Sequence, residues 1–447
     1  MKASGGRSGA VGKGSRGILS GGRKLGYLIF LWTFQAEMMQ RSCFMNQNAW
    51  FPPGMKEKMA ATGEKQIYVV TGGSGFLGKH LVQMILDQEP NLAEVRVFDL
   101  HLDESMQDLD RVTLIQGDIT NPDDVKAAVR GSHVVIHTAS LVDVWGRVAP
   151  EKISAVNVGG TQNVIDACVS EGTQYLVYTS SMEVVGPNIK GVPFYRGNED
   201  TRYEVIHKEP YPISKAKAEK LVIEANGRLM ENGKRLHTCA LRPTGIYGRN
   251  HPLMKEFYEQ GLRTKRCMVR LIPASVEHGR VYVGNVAWMH LLVARKIQEC
   301  PTVIGGQVYF CYDNSPYKSY EDFNMEFLRP CGFSLLGSRP LVPYFLLYFI
   351  ALFNAFLQWL LKPFCTYAPI FNPYTLAVAS TTFTVETDKA QRNFGYQPRY
   401  TWEESRNSTV KWLQEMDAQR QMGKNALAKV ERTGNQEQKD ASNGNQP

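Results

Sequence analysis

The chain has 447 residues, of which 43% are hydrophobic and 21% are charged. This composition is too apolar for an intrinsically disordered protein, and the length suffices for one large domain or two ordinary ones. The formal net charge is +8, but residues 1–58 contain nine Lys or Arg and two acids, so the remainder carries only +1. Because the excess charge belongs to one terminal segment and not to a folded face, we expect no nucleic-acid partner.

The N-terminal segment has two interpretations. Residues 1–25 are rich in Gly, Ser and basic side chains and precede a short apolar run at 25–34, as in a targeting peptide. Alternatively, the segment is an upstream extension of the coding sequence, with the natural start at Met55 or Met59. We favour the extension and give residues 1–63 no part in the fold, because the sequence from Met59 leads directly into the first predicted strand.

The eight cysteines are widely spaced and include no Cys-x-x-Cys pair. They therefore predict neither a zinc site nor a disulfide framework. We expect no bound metal, and we expect most of the chain to face a reducing compartment.

Short apolar runs alternate with helical stretches from Gln66 onward. The runs are too continuous for half-exposed strands and are typical of buried parallel strands. We predict strands at 67–70, 95–98, 112–117, 133–139, 175–180 and 237–243, and helices at 76–86, 122–129, 158–170 and 214–226. This alternation predicts an α/β fold with a doubly wound parallel sheet over residues 64–248.

The alternation weakens after residue 248. Aromatic residues, prolines and longer loops then predominate, which predicts a smaller C-terminal substrate lobe at 249–413. Residues 414–447 are mostly Gln, Asn, Lys, Glu and Gly and have almost nothing to bury, so we expect a disordered tail.

A glycine-rich turn follows the first predicted strand and opens the first helix. Glycine permits the unusual dihedral angles of such a turn and lets the backbone approach a pyrophosphate closely, while the helix N-terminus offers free N–H groups. Glycine-rich turns also occur without ligands, but the position between strand and helix favours a dinucleotide site. The residues expected to hold the cofactor here are Gly72, Gly73, Gly75, Phe76, Leu77 and Gly78.

Two acids at the ends of later strands extend this predicted site. Asp99 ends the second strand, where a carboxylate accepts hydrogen bonds from the adenosine ribose and repels a ribose phosphate, so NAD is favoured over NADP. An exposed strand-end acid without a ligand is the alternative. Asp118 and the adjacent Ile119 follow the third strand and are candidate contacts to the adenine.

Tyr211 and Lys215 have the Tyr-x-x-x-Lys spacing, which places both side chains on one helix face. A phenol is a poor base at neutral pH until a nearby cation favours its ionised form, and Lys215 together with an oxidised nicotinamide can supply that charge. Ser181, at the end of the fifth predicted strand, can hydrogen-bond a substrate hydroxyl. Each residue alone has an ordinary explanation, as a surface helix pair or a turn cap. Their order after the glycine-rich turn favours a catalytic triad.

These motifs resemble those of the extended short-chain dehydrogenases. More closely, the segments HTASLVDVWGR, YTSSMEVVGPN, YPISKAKAE and LRPTGIYG are similar to the 3β-hydroxy-Δ5-steroid dehydrogenase/isomerases, over about residues 64–413. Within that family, IPASVEHGRVYVGNVAWMH and NPYTLAVASTTFTVETDKAQRNFGY look most like the bile-acid branch, which acts on 7α-hydroxylated sterols. The resemblance implies oxidation of a 3β-hydroxyl with NAD, and then movement of the ring double bond into conjugation.

The resemblance leaves several points open. Asp313 is a candidate to shuttle the proton of the isomerisation, although an Asp before Asn-Ser-Pro more often forms a turn. Rival substrates are steroid-hormone precursors and 4-carboxysterols, and a rival of another class is a membrane-tethered nucleotide-binding scaffold without turnover. Dimers are frequent among related dehydrogenases, but nothing in this sequence decides the oligomeric state.

Residues 341–361 contain 18 apolar residues of 21 and no charge. A helix of this length reaches about 30 Å, the thickness of a bilayer core, although a buried core helix is the alternative. The sequence beyond it resembles segments of the substrate lobe, so we expect a dip into one leaflet or a hairpin and not a lone span. Asn354 and Gln358 are expected to face the protein. A sterol substrate and a lipid bilayer are thus the expected partners, at the endoplasmic reticulum membrane with the active site towards the cytosol.

Overall fold

A computed structural model describes the backbone of residues 65–186, 190–203, 205–365 and 367–443. The described residues belong to one compact unit. The expectations for residues 1–63, as a targeting segment or as an extension, lie outside the described residues.

The strands agree with the predicted parallel arrangement. The strands are β1 (Gln66–Thr71), β2 (Leu92–Asp99), β3 (Val112–Gln116), β4 (Val134–His137), β5 (Tyr175–Thr179), β6 (Phe194–Gly197), β7 (His237–Pro243), β8 (Gly245–Tyr247), β9 (Cys267–Val269), β10 (Arg280–Tyr282), β11 (Gln307–Cys311), β12 (Ser334–Leu336) and β13 (Phe383–Val385). The main sheet has seven parallel strands in the order β11-β7-β5-β4-β1-β2-β3, and Val70 of the first strand lies opposite Val97 on one side and Ile136 on the other. The remaining strands of the described residues form three two-stranded parallel pairs, β8 with β10, β9 with β12 and β6 with β13.

Helices cover both faces of the main sheet. Neighbouring strand residues point to opposite faces, so Val69 and Val70 belong to two different buried clusters. The helices are α1 (Phe76–Gln88), α2 (Pro122–Val129), α3 (Pro150–Ser154), α4 (Gly160–Glu171), α5 (Pro210–Glu224), α6 (Pro252–Arg263), α7 (Val283–Glu299), α8 (Pro301–Ile304), α9 (Tyr320–Leu328), α10 (Tyr344–Leu361), α11 (Pro373–Ser380), α12 (Lys389–Phe394) and α13 (Trp402–Asn443). The predicted doubly wound α/β fold is confirmed.

The seventh strand comes from the segment that the sequence assigned to the smaller lobe. β11 pairs with β7, and Tyr309 lies opposite Leu241. Helix α7 also covers the main sheet, because its residues Val286 and Val293 share a buried cluster with Val70. The boundary expected at residue 248 therefore does not separate two independent cores. A long insertion between β7 and β11 interrupts the strand–helix alternation and hides this last strand from a pattern search.

The C-terminal segment differs from the disordered tail expected from residue 414. Helix α13 continues to Asn443, and its first turns pack on the fold through Trp412 and Leu413, which are buried. Asp417 accepts hydrogen bonds of 2.5 Å from the Tyr258 hydroxyl and 2.7 Å from Arg266. Within the segment from residue 414 these Asp417 contacts are polar, so a search for apolar residues does not find them.

Helix α10 packs on the fold with one narrow face. Leu347 and Ala351, one turn apart, are buried in a cluster with Leu376 of α11. Among the described residues it is the one helix long and apolar enough to cross a membrane, with a mean hydropathy of 1.8 and 11% of it buried. The side chains that α10 leaves exposed are mostly large and apolar, namely Tyr344, Phe345, Leu346, Tyr348, Phe349, Ile350, Leu352, Phe353, Phe356, Trp359 and Leu360.

The polar residues of α10 face the protein, as predicted. The side-chain amide of Asn354 donates a 2.8 Å hydrogen bond to the Phe371 carbonyl, and that of Gln358 donates one of 2.8 Å to the Trp145 carbonyl. After α10 the chain returns to the lobe, where Phe383 of β13 pairs with Phe194 of β6. Before α10, the Leu341 N–H donates a 3.1 Å hydrogen bond to the Arg270 carbonyl, so both ends of the apolar segment join the same folded body.

Candidate active site

The glycine-rich turn lies between β1 and α1, where the strand order reverses. Gly72 has a positive φ of 68°, and a Cβ there would lie 2.8 Å from the backbone of Ala139, the second residue after β4. A Cβ at Gly78 would lie 2.1 Å from the Gly72 carbonyl oxygen, and one at Gly73 would lie 2.9 Å from that of Val70. Glycine is thus required for the close approach of turn, helix and neighbouring loop. This arrangement is the cradle that a pyrophosphate occupies in dinucleotide-binding folds.

The predicted cofactor contacts Gly75, Phe76 and Leu77 form the end of the glycine-rich turn and the start of α1. Phe76 starts α1, with its ring centroid 4.9 Å from that of His251, and Leu77 is buried. Gly75 closes the turn by donating a 3.0 Å hydrogen bond from its N–H to the Gly72 carbonyl.

Asp99 and Asp118 lie at the same sheet edge. The Asp99 carboxylate accepts a 3.1 Å hydrogen bond from the Ser74 N–H, so it is fixed against the glycine-rich turn. Asp118 accepts two 2.8 Å hydrogen bonds from Thr120 through one carboxylate oxygen. Ile119 is buried against α4, where a Cβ at Gly160 would lie 2.9 Å from its side chain.

Ser181 and Tyr211 meet at the end of β5. Ser181 caps the 3₁₀ turn Met182–Val184 and accepts a 3.1 Å hydrogen bond from the Glu183 N–H. Tyr211 lies in the first turn of α5 and is buried. Burial and the charge of Glu183 raise the pKa of Tyr211, while a hydrogen bond with the Ser181 side chain lowers it. In this state of the protein Tyr211 is therefore a protonated phenol.

Lys215 lies one turn beyond Tyr211 on α5, but its ammonium group points to β5. It donates hydrogen bonds of 2.7 Å to the Thr179 carbonyl and 3.2 Å to the Tyr178 hydroxyl. Burial lowers the pKa of Lys215 to about 7, and the charge of Glu219 opposes that shift. The direct lowering of the Tyr211 pKa by Lys215 that the spacing suggested is not observed, because the ammonium group is bonded elsewhere.

A largely buried ion pair joins Glu219 of α5 to Arg242 of β7. Arg242 donates two hydrogen bonds to the Glu219 carboxylate, of 2.8 and 2.6 Å, and Ser180 donates a third of 2.6 Å. A carboxylate with several charge-assisted partners is held rigidly. It fixes the helix turn that carries Lys215.

Sequence reasoning missed three polar groups of the site. Asn157 lies in a π-helical turn before α4 and donates a 2.9 Å hydrogen bond to Ser214, between the two triad residues of α5. Tyr374 of α11 donates a 2.6 Å hydrogen bond to the Glu183 carboxylate. Glu183 and Tyr374 stand within segments noted for resemblance, so their type and position were visible. Tyr374 nevertheless lies more than 150 residues downstream of the triad, and no local spacing connects it to the site.

Asp313, the sequence candidate for the isomerisation, serves the fold. Its carboxylate accepts hydrogen bonds of 2.8 Å from the Tyr282 N–H, 2.9 Å from Asn285 and 2.9 Å from the Ser315 N–H. It therefore joins the end of β11 to the start of α7, in agreement with the turn-forming alternative.

Comparison with known proteins decides the family. Residues 69–341 match the family described as the 3-beta hydroxysteroid dehydrogenase/isomerase family. The chain belongs to this family. It is 65% identical to 3 beta-hydroxysteroid dehydrogenase type 7 from Mus musculus over 78% of this chain and 96% of the relative, and 64% identical to the Homo sapiens enzyme over 79% and 97%. It is 42% identical to the 3 beta-hydroxysteroid dehydrogenase/Delta 5-->4-isomerase of Monkeypox virus over 78% and 99%.

Solved structures of other proteins have the same fold as this chain. The crystal structure of gox2253 has a TM-score of 0.58 and 23% identity and covers 79% of this chain and 99% of its own. Thermus thermophilus UDP-glucose 4-epimerase in complex with NAD has a TM-score of 0.53 and 20% identity and covers 78% and 99%. The chain is an NAD-dependent oxidoreductase of the hydroxysteroid dehydrogenase family, and the cradle at Gly72 and Gly78 fits a dinucleotide.

Proposed function

We propose that this chain oxidises the 3β-hydroxyl of 7α-hydroxylated, twenty-seven-carbon Δ5 sterols to the 3-ketone and then moves the double bond from Δ5 to Δ4. The observation that carries the proposal is the much higher identity to the type 7 enzymes than to the viral dehydrogenase/isomerase, over nearly the full length of each. The bile-acid branch is therefore favoured over a dehydrogenase of hormone precursors.

Three side chains carry the proposed oxidation. Ser181 donates or accepts a hydrogen bond at the 3β-hydroxyl and orients it. Tyr211 accepts the hydroxyl proton in its ionised form, which the positive charge of a bound oxidised nicotinamide would favour. The chemistry that a bound NAD would supply is acceptance of the hydride from C3. Lys215 is proposed to hold the nicotinamide ribose from its position against β5, where it donates hydrogen bonds to the Thr179 carbonyl and the Tyr178 hydroxyl. The Ser181 side chain lowers the pKa of Tyr211 in the structure, which supports this pairing.

The proposed NAD contacts follow the C-terminal edge of the sheet. The backbone of the glycine-rich turn meets the pyrophosphate, and the Asp99 carboxylate meets the adenosine ribose. Asp118 and Ile119 border the adenine. The residues proposed to contact the cofactor are Gly72, Gly73, Gly75, Phe76, Leu77, Gly78, Asp99, Asp118, Ile119 and Lys215.

An apolar cavity supports a bulky lipid-like substrate. It measures about 610 Å³ and lies between the start of α10 and helix α11, lined among others by Leu271, Val276, Leu341 and Ala377. Ala377 stands one turn after Tyr374 on α11, so the helix that lines the cavity also carries the residue that binds Glu183. We propose that the sterol tail occupies it.

The exposed face of α10 supports membrane association. An apolar surface of this size is costly in water. Both ends of the helix join one folded body, through Leu341 before it and through Gln358 and β13 after it. We propose that α10 lies in one leaflet of the endoplasmic reticulum membrane, with the catalytic site towards the cytosol. A sterol can then enter from the lipid.

The test uses the full chain in microsomes with NAD. A 7α-hydroxylated, twenty-seven-carbon 3β-sterol and a nineteen-carbon hormone precursor are compared, with Tyr211→Phe as the control variant. Selective turnover of the long sterol, lost in the variant, is the expected result. Turnover of the short steroid alone overturns the branch assignment, and turnover of neither sterol favours a nucleotide-binding scaffold.

A further inference from the structure

Arg280 has two buried nitrogen atoms without a hydrogen-bond partner. Nε and Nη2 of its guanidinium group are both buried, and neither contacts an acceptor among the described residues. A buried N–H group that bonds to nothing costs free energy, so native structures nearly always give it a partner. Because the proposed oxidation does not use Arg280, we look for its partner in a bound molecule.

The two unpaired donors lie on one edge of the guanidinium plane. The same two nitrogens of Arg242 hold the two carboxylate oxygens of Glu219, at 2.8 and 2.6 Å, so this edge binds oxygen strongly when an acceptor faces it. The guanidinium carbon of Arg280 lies 4.0 Å from the centroid of the Tyr320 ring and 5.5 Å from that of Phe323. These rings hold the cation by its faces and leave the edge unbonded.

A small cavity borders the guanidinium group. It measures about 20 Å³ and is lined among others by Ile246, His251 and Phe323. The His251 ring already accepts a 3.2 Å hydrogen bond from the Met254 N–H, and burial and the charge of Arg280 lower its pKa to about 4, so the ring is neutral. A space of this size accommodates one oxygen atom, such as that of a hydroxyl group, and is too small for a carboxylate or a phosphate.

Arg280 lies at the edge of the main sheet that also carries the triad. It starts β10 opposite Gly245 of β8, and a Cβ at Gly245 would lie 2.5 Å from its Nη1 atom, so the guanidinium group lies directly over this glycine. β8 begins two residues after β7 ends, and β7 is the neighbour of β5, which leads into Ser181. The serine and the glycine under Arg280 therefore follow the carboxyl ends of adjacent parallel strands.

Further contacts join Arg280 to the region proposed for the sterol. The preceding residue, Gly279, donates a 2.6 Å hydrogen bond from its N–H to the Phe383 carbonyl. Phe383 shares a buried cluster with Met182, the residue after the triad serine. Val276, four residues before Arg280, lines the cavity proposed for the sterol tail. Arg280 is thus connected both to the group that meets C3 and to the tail cavity, along the path that the sterol rings would follow.

We propose that Arg280 recognises the 7α-hydroxyl group of the sterol, an inference that rests on the proposed oxidation. When the 3β-oxygen is at Tyr211, the sterol carries this second hydroxyl on the adjacent ring, between the reacting carbon and the tail. Its oxygen accepts hydrogen bonds from Nε and Nη2 and so satisfies both buried donors. A sterol with only hydrogen at C7 leaves both donors unpaired, and such a site discriminates strongly against that analogue. Arg280 determines specificity and takes no part in the transfer of hydride or proton.

The test compares two sterols that differ only at C7. Wild-type, Arg280→Met and Arg280→Lys enzymes, as full chains in microsomes with NAD, receive a twenty-seven-carbon 3β-hydroxy-Δ5 sterol with or without the 7α-hydroxyl, and NADH formation is followed. We expect the wild-type kcat/KM to be about 100-fold higher for the 7α-hydroxylated sterol, and this ratio to fall below about fivefold in Arg280→Met. Arg280→Lys keeps the charge but not the two-donor edge, so its ratio should be intermediate.

The matched control is Arg399→Met. Arg399 also lies over an aromatic ring, that of Trp288 at 5.4 Å, but it is exposed, so its substitution should keep the wild-type ratio. NAD binding by the detergent-purified proteins, measured by protein fluorescence, should be equal in all variants and shows that they are folded. If Arg280→Met does not bind NAD, Arg280→Lys decides, and its ratio must be below that of the wild type.

Two results overturn the inference while oxidation of the long sterol persists. One is a wild-type ratio near one, and the other is the full wild-type ratio in the folded Arg280 variant. Absence of wild-type oxidation with both sterols contradicts the proposed function instead.

Discussion

The side-chain amide of Gln358 donates a 2.8 Å hydrogen bond to the main-chain oxygen of Trp145, across 213 residues of sequence. Gln358 belongs to the exposed apolar helix α10, and Trp145 belongs to the loop that leaves β4 above the proposed cofactor site. Asn372 adds a 3.0 Å hydrogen bond to the neighbouring Val144 carbonyl. The segment proposed to meet lipid therefore also shapes the rim of the active site.

Gln358→Leu should weaken sterol binding more than NAD binding. The substitution keeps the apolar volume but removes a hydrogen bond worth about 1 kcal/mol, so the KM for the sterol should rise about fivefold. Steady-state kinetics with each substrate varied in turn measure the two KM values. An equal change in both KM values would contradict a specific role in the sterol entrance.

Charging the exposed face of α10 should release the protein from membranes. Phe349 and Phe353 are 63% and 59% exposed and one turn apart, so a double substitution to Asp leaves the packed face of Leu347 and Ala351 intact. We expect the variant to move from the membrane fraction to the soluble fraction after sedimentation.

The matched control for this prediction is Leu229→Asp. Leu229 is 61% exposed and lies far from α10 in the sequence. Its substitution should leave the protein in the membrane fraction. If the α10 variant also stays there, the helix is not the membrane contact.

Asp99→Ala should broaden cofactor use towards NADP. The carboxylate stands against the glycine-rich turn and repels a ribose phosphate, so its removal weakens NAD binding and relieves that repulsion. We expect the ratio of kcat/KM for NAD over NADP to fall by at least tenfold. Asp118→Ala is the comparison, and it should leave this ratio nearly unchanged.

Glu183→Gln should stabilise the protein at alkaline pH. Because the pKa of Glu183 is about 7 in the fold against 4.5 unfolded, the folded state binds more protons between these values. The wild type therefore loses stability as pH rises through this window, and the loss remains above it. The free energy of unfolding of the variant relative to wild type should rise by up to about 3 kcal/mol between pH 4 and pH 8.

Thermal unfolding in detergent at several pH values measures this difference. Glu224→Gln, on the exposed face of α5, is the matched control and should show a difference that does not change with pH. A pH-independent difference for Glu183→Gln would show that burial does not raise the pKa of the Glu183 carboxyl group.

The sequence predicted the elements whose signals are local. The buried runs, the glycine-rich turn at Gly72 and the Tyr211–Lys215 spacing each depend on residues a few positions apart, and the six predicted strands lie at or within a few residues of their observed bounds. The polar face of α10 at Asn354 and Gln358 was predictable for the same reason.

The remaining features depend on long-range contacts. Tyr374 binds Glu183 although 191 residues separate them in the sequence. β11 joins the main sheet after a long insertion that interrupts the alternation of strands and helices. The Tyr-x-x-x-Lys spacing does not determine the hydrogen-bond partner of the Lys215 ammonium group. The packing of α5 against β5 determines it, because it brings the Thr179 carbonyl within hydrogen-bond distance. Such choices are set by tertiary structure and not by spacing.

Transfer of a labelled hydrogen tests the central claim most directly. The full chain in microsomes is given NAD and a 7α-hydroxylated 3β-sterol that carries deuterium at C3, and the NADH and the sterol are analysed by mass spectrometry. The account predicts one deuterium in NADH for each 3-ketone formed, and neither product with Tyr211→Phe. A 3-ketone formed without deuterium in NADH would contradict it.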